Sequence, residues 1–356
     1  MCSLALDTSA RRPTTRSGDA AWRGYFATRR TIAASFRGLR TSLGNTGLAV
    51  SRVGLGLAAL GRPGYITLGH GGDIAGHVDE AGLELATHAV LDAAYAGGVR
   101  YFDAARSYGK AEAFLASWLL SRALAPDEVT VGSKWGYTYT ADWRVDAPVP
   151  EVKDLSIATL RRQFPQSRKL LGANLRLYEI HSATLESGVL DDRAVLDELA
   201  SLRANGLAIG LTVTGPRQAE TIERALERDA FDVVQATWNL LERSAAPALA
   251  AAHTVGMGVI VKEALANGRL TARGAIPGLA AVAARIGTTP DALALAAVLA
   301  QPWADVVLSG AATPDTLHSN LGAHTLGVPA EHLKELDALQ EDATKYWRTR
   351  ARLPWN

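Results

Sequence analysis

Val99-Arg100-Tyr101-Phe102-Asp103-Ala104-Ala105-Arg106-Ser107-Tyr108-Gly109 is the stretch that decides the fold. It opens on a short apolar run of strand type and stops at a carboxylate. A phenol follows five residues later. The same pattern recurs twice downstream. Val129-Thr130-Val131-Gly132-Ser133-Lys134 ends in an ammonium, and Leu175-Arg176-Leu177-Tyr178-Glu179-Ile180-His181 ends in an imidazole. Three successive strand candidates therefore carry titratable groups at or just past their C-terminal ends. Parallel strands packed side by side bring such groups to one point.

Outward from this stretch, short apolar runs alternate with amphipathic ones. Strands are expected at 51–57, 99–103, 129–134, 175–181, 207–212, 232–237, 258–262 and 305–308. Helices are expected at 81–96, 110–122, 151–171, 191–204, 216–228, 243–255, 279–300 and 314–322, the seventh possible in two pieces. Repeated βα alternation implies parallel strands joined by crossover helices. Eight units match a (β/α)8 TIM barrel, an α/β fold in one domain. A short N-terminal β-hairpin is expected ahead of it. The rival is an open doubly wound sheet, which needs Gly-x-Gly-x-x-Gly between its first strand and helix. Gly54-Leu55-Gly56 begins that way, but the next glycine is Gly61 and a Gly-rich loop follows instead of a helix. No linker divides the chain, so residues 39–345 read as the barrel and 346–356 as a C-terminal tail near the substrate pocket.

Bulk properties narrow the function classes. Net charge is +1, which provides no field to draw nucleic acid or a membrane surface. No apolar run reaches the ~18 residues of a membrane span. Cys2 is the single cysteine, so an internal disulfide and a cysteine-rich metal site are excluded, and a cytoplasmic setting fits. Residues 1–38 carry seven arginines, two aspartates and no glutamate. That composition suits a disordered extension, or an organelle-targeting segment.

Asp103, Tyr108, Lys134 and His181 suit proton delivery to a carbonyl oxygen. Hydride arriving at a carbonyl carbon leaves negative charge on oxygen, which a positioned acid must meet. Tyr108 is that acid. A lysine ammonium nearby would lower the phenol by up to ~3 pKa units before burial opposes it. Asp103 would hold Lys134 charged and aimed, and His181 would polarise the carbonyl. Taken singly, each has a duller role as turn residue, loop aromatic, rim ion pair or structural histidine. Their joint placement carries the argument. Trp135, Tyr137 and Trp143 follow Lys134 on a long loop and are candidates to wall a substrate pocket. They equally suit packing that loop onto the barrel rim.

The chain resembles the aldo-keto reductase superfamily in Phe102-Asp103-Ala104-Ala105-Arg106-Ser107-Tyr108-Gly109 with Glu112, in Ser133-Lys134-Trp135-Gly136, and in Leu177-Tyr178-Glu179-Ile180-His181. Ile209-Gly210-Leu211-Thr212, Val234-Gln235 and Ser309-Gly310-Ala311-Ala312-Thr313-Pro314 extend the likeness over most of the chain. The resemblance implies reversible reduction of an aldehyde or ketone with a nicotinamide cofactor. It implies that the four residues above act as a catalytic tetrad. It also implies that Thr212 and Gln235 hold the nicotinamide carboxamide, and that Leu265, Asn267 and Gly268 wrap the pyrophosphate. Gly310, Thr316 and Asn320 fall at the adenosine end. Lys262 stands where an aromatic residue usually stacks on the nicotinamide. The adenosine segment has neither Lys nor Arg for a 2′-phosphate, which leaves Arg273 to supply that charge from the facing loop. NADP(H) is expected narrowly ahead of NAD(H), with a small carbonyl or alcohol as substrate. Two other functions are open: a Schiff-base aldolase using Lys134, and a catalytically weak subunit that senses nicotinamide redox state.

Overall fold

The computed structural model describes residues 40–356, so the 1–38 extension lies outside the described residues. Eight parallel strands close into a barrel. They are β3 (Val53–Gly56), β4 (Tyr101–Asp103), β5 (Thr130–Trp135), β8 (Leu175–Ala183), β9 (Ala208–Val213), β10 (Val233–Thr237), β11 (Gly258–Lys262) and β12 (Val306–Ser309). Each pairs with the next in that order, and β12 closes on β3 through Leu308↔Gly54. Each of the eight expected strands overlaps a barrel strand, and each expected helix overlaps an observed one.

The expected hairpin is β1 (Arg40–Ser42) with β2 (Ala49–Ser51). Its Leu43, Leu48 and Val50 are buried against Tyr101, Leu177, Val233, Ile260 and Val306, near the strand starts. The hairpin therefore plugs the N-terminal end of the barrel. Burial of each of these side chains stabilises by about 1.5–3 kcal/mol.

Strand alternation decides what fills the barrel. Successive side chains point to opposite faces, so every second residue looks inward. Tyr101, Leu177, Val233 and Ile260 make the apolar lower layer. Two residues on, Asp103, Glu179, Gln235 and Lys262 occupy the upper layer. Between them the phenol of Tyr101 needs room. Gly132 supplies it, because a Cβ there would collide with the Tyr101 hydroxyl. Residues one step out of phase face the helices, and their core includes Phe102, Val131, Trp135, Tyr178 and Ile180.

One boundary differs from expectation. Residues 151–153 are not the start of a helix. They form β7 (Glu151–Lys153), antiparallel to β6 (Tyr137–Tyr139), in a hairpin over the barrel mouth. The helix runs Ile157–Leu171, its first turn capped by the Ser156 side chain. The 150–156 segment has no apolar stripe at helical spacing, and the Asp154-to-Ser156 turn stops the strand. The segment 346–356 starts inside the helix Ala343–Arg350 and only then becomes a tail. Its last residue, Asn356, exchanges backbone hydrogen bonds with Tyr65 (3.2 Å each way). Among the described residues no single helix is long and apolar enough to cross a membrane.

Candidate active site

At the C-terminal ends of the strands lies a cavity of about 650 Å³. Asp103, Tyr108 and His181 line it; Lys134 lies just behind, 1% exposed. Lys134 forms a buried ion pair with Asp103 and donates to the Ala104 carbonyl oxygen (3.0 Å). The other Asp103 oxygen accepts from the Tyr101 hydroxyl (3.2 Å) and from Gln235 Nε2 (3.0 Å). β4 and β10 are not neighbours, so the Gln235 bond crosses the barrel interior.

Tyr108 is set by its loop. Its amide donates to Ala105 O (3.1 Å), and Lys110 N donates to Gly61 O (2.6 Å). Gly61 presses on this loop so closely that any Cβ would strike the Tyr108 carbonyl. Behind the loop, Glu112 is buried, paired with Arg106 and accepting from Ser133 and Ser167 (2.6 Å each). The Tyr108 and His181 rings meet edge to face, 5.5 Å between centroids, and Lys134 Nζ is 5.1 Å from the Tyr108 ring centre.

The electrostatics correct one expectation. Burial, and next the charge of Asp103, push the Tyr108 phenol well above its usual value of 10 rather than below it. Lys134 gives its charge to Asp103 and Ala104 O, so it does not act on the phenol alone. His181 moves the other way. Burial, then the charges of Lys134 and Lys262, drive it well below 6.5, so the imidazole is neutral. The site therefore presents a protonated phenol and a neutral imidazole at neutral pH.

Glu179 is a carboxyl the sequence motifs gave no role. It is fully buried, with Oε2 3.3 Å from Gln235 Nε2 and Oε1 without a partner. Burial and the Asp103 charge push it up to about 8. A carboxyl raised in the folded state keeps its proton there while the unfolded chain releases it. Its contribution is thus full below the unfolded value of 4.5 and is lost as pH rises toward about 8. Glu179→Gln copies the protonated form. The wild type is expected to lose stability relative to this variant between about pH 5 and pH 8, measured by urea unfolding. Parallel pH curves would show that Glu179 holds no such proton.

The ten expected cofactor residues all line the cavity. Thr212, Gln235 and Lys262 are at the barrel mouth; Leu265, Asn267, Gly268 and Arg273 follow β11; Gly310, Thr316 and Asn320 follow β12. Several are engaged differently from the expectation. Gln235 Nε2 is bonded to Asp103 and Glu179. The Thr212 hydroxyl accepts from Ser182 N (2.7 Å). Lys262 Nζ donates to Thr237 Oγ1 (2.8 Å), and burial brings its ammonium down to about 8. Arg273 is taken by Asp73 and the Leu68 carbonyl (2.8 Å each). That bridge ties the loop after β3 to the turn after β11.

Of the three expected substrate-wall aromatics, Tyr137 lines the cavity, 4.8 Å from the His181 ring. Trp135 does not. It follows inward-facing Lys134 on β5, so alternation turns it outward into the helix-facing core, fully buried. Trp143 packs edge-on to Phe114 (6.4 Å) and donates to Val78 O (2.7 Å), away from the cavity.

Sequence motifs missed a second group of lining residues. Arg62, buried at 2% exposure, donates to Ser107 O (2.9 Å) and pairs with Glu151 (2.6 Å). The rings of Trp355, Tyr108, Tyr65 and Tyr139 lie 4.6–5.9 Å from its guanidinium. Arg350 pairs with Glu263 (2.9 Å). Burial pushes Glu263 up, but Arg350 and Lys262 outweigh it and hold it at about 2. Glu263 and Asn267 have φ of 54° and 55°, left-handed values that non-glycine residues rarely adopt. Such strain concentrates where a backbone must meet a ligand.

Comparison with known proteins agrees with this fold. A sequence profile of the aldo/keto reductase family matches residues 67–341. Two solved structures from Pseudomonas aeruginosa, both assigned to the aldo-keto reductases, superpose with TM-scores of 0.61. They are 26% and 28% identical, covering 85% and 82% of this chain and 97% of their own. The aldo-keto reductase AKR11C1 from Bacillus halodurans, in its holo form, superposes with a TM-score of 0.66 at 20% identity, over 85% of this chain and 97% of its own. A search of curated protein sequences gave no match. The profile spans well over half of the sequence and takes in all four tetrad positions: the chain belongs to the aldo/keto reductase family.

Proposed function

We propose that the protein reversibly reduces an aldehyde or ketone to an alcohol, with Tyr108 as proton donor and a nicotinamide dinucleotide as cofactor. The cofactor supplies the hydride. The carrying observation is the Tyr108 ring set edge to face against the His181 imidazole on one cavity wall, 5.5 Å between centroids.

In reduction, Tyr108 gives its proton to the oxygen as negative charge develops there. An alkoxide is a stronger base than a phenolate, so the raised phenol holds its proton until negative charge develops on the carbonyl oxygen. His181 steadies the carbonyl oxygen with one N–H. Lys134 and Asp103, neutralised by each other, hold the wall behind Tyr108 in place. In oxidation the same raised phenol is hard to ionise, so reduction is favoured near neutral pH and oxidation gains as pH rises.

The cavity suits a dinucleotide. Asn267 and Asn320 each keep a buried side-chain oxygen without a hydrogen-bond partner, and a Cβ at Gly310 would stand in open space. We assign Thr212, Gln235 and Lys262 to the nicotinamide half, and Leu265, Asn267, Gly268, Arg273, Gly310, Thr316 and Asn320 to the remainder. The single cysteine, Cys2, supports a reducing, cytoplasmic setting. Schiff-base chemistry at Lys134 has no support, because its ammonium is ion-paired and does not line the cavity.

Titrating the full chain with NADH and NADPH while following the fluorescence of its eight tryptophans tests the cofactor assignment. Saturable quenching is expected with at least one of them, followed by oxidation of the bound cofactor on adding members of a panel of aldoses and simple aldehydes. Tight binding with no turnover on any carbonyl would favour the redox-sensing reading instead.

A further inference from the structure

Resting on that reading, we propose that Asp291 makes the cavity select NAD(H) over NADP(H). This reverses the narrow NADP(H) preference drawn from the sequence.

The cavity is long and its two ends differ chemically. One end is the barrel mouth with Tyr108 and His181. From there it follows the turn after β11 and the segment after β12 into the helix layer. Thr316, Ser319, Asn320 and Asp291 line that end. Asp291 sits in the first turn of the helix Pro290–Leu299. That helix packs on the helices Pro277–Arg285 and Pro314–Gly322 and on β12, not on the tetrad strands. A dinucleotide with its reacting ring at Tyr108 places its adenosine ribose toward Asp291.

Charge at this end is one-sided. The cavity's arginines are each held by a carboxylate: Arg62 by Glu151, Arg273 by Asp73 and Arg350 by Glu263. Lys262 belongs to the barrel mouth, where it donates to Thr237. Among the described residues, Asp291 has no ion-pair partner. Its Oδ2 accepts from Ser319 Oγ (2.7 Å), and Oδ1 remains for another donor.

The two cofactors differ here alone. NAD(H) carries a free ribose diol, whose hydroxyls donate to a carboxylate. NADP(H) carries a 2′-phosphate, which offers only acceptors and about two negative charges. Placing it against an acid costs repulsion, and among the described residues no unpaired arginine at this end repays it. Arg273 would have to leave Asp73 to serve the phosphate.

The test is calorimetric titration of the full chain, and of Asp291→Asn and Asp291→Ser, with NADH and NADPH. Thermal unfolding checks that each variant is folded. Two variants keep the test valid if one disturbs the helix start. Wild type is expected to bind NADH at least about tenfold tighter than NADPH, and both variants to shrink that ratio by about fivefold or more. Preference for NADPH in the wild type, or a ratio unchanged in both variants, overturns the role of Asp291 while leaving the oxidoreductase reading intact. Binding of neither dinucleotide overturns that reading itself, and this inference with it.

Discussion

Tyr108→Phe lowers the rate of carbonyl reduction by about 10²–10⁴-fold, the usual share of a positioned acid. Cofactor affinity in the same variant stays within about twofold, because the substitution removes one hydroxyl and leaves the ring. The ring still packs against His181 and near Arg62, so the wall keeps its shape. Single-turnover oxidation of bound cofactor after mixing with substrate separates the chemical step from product release. A chemical step within threefold of wild type would remove Tyr108 from the mechanism. The loss belongs to the rate, with little change in substrate affinity, since the proton moves only as charge develops on oxygen.

Lys134→Met destabilises the fold by about 3–5 kcal/mol, the cost of breaking a buried ion pair by removing one partner. The reason is Asp103. With Lys134 gone, its carboxylate stays in the barrel with only the Tyr101 hydroxyl and the Gln235 amide as donors. Both Asp103 and Lys134 are almost wholly buried, so water cannot make up the difference. Adding Asp103→Asn to Lys134→Met removes the stranded charge and should recover much of the loss. Urea unfolding of the two single variants and the double one closes the cycle. Strict additivity would mean that the pair is not coupled and that the barrel mouth is wetter than its burial implies.

The barrel was legible because its strands are short apolar runs with turn residues between them. The helices keep amphipathic spacing, and parallel βα alternation leaves few topologies. The convergence of titratable groups was legible for a related reason: parallel strands bring their C-terminal ends together, and Asp103, Lys134 and His181 are there. The same alternation, applied one residue further, would have placed Trp135 in the core. Its side chain must oppose that of Lys134. For Trp143 the sequence leaves pocket wall and loop packing equally open, because a loop aromatic has no periodicity to aim it; it packs against Phe114.

Other features depend on tertiary closure. Arg62, Glu151, Arg350 and Trp355 come from the loop after β3, the β6–β7 hairpin and the C-terminal segment. They meet only once the last helix folds back over the barrel. The direction of the Tyr108 shift was equally hidden, since Lys134 in isolation argues for a lowered phenol. Burial and the nearer claim of Asp103 on that ammonium reverse the sign. Asp291 carries no motif, and its meaning comes from the absence of an ion-pair partner among the described residues.

The most direct test of the central claim is isotope transfer. Full-length protein is mixed with reduced nicotinamide dinucleotide carrying deuterium at both positions of the transferring carbon, together with a carbonyl substrate from the panel. The alcohol product is then analysed by mass spectrometry. The account predicts one carbon-bound deuterium per alcohol formed, with the amount of labelled product falling about 10²–10⁴-fold in Tyr108→Phe at equal time. Alcohol formed without deuterium, or labelled equally fast by the Tyr108 variant, would contradict it.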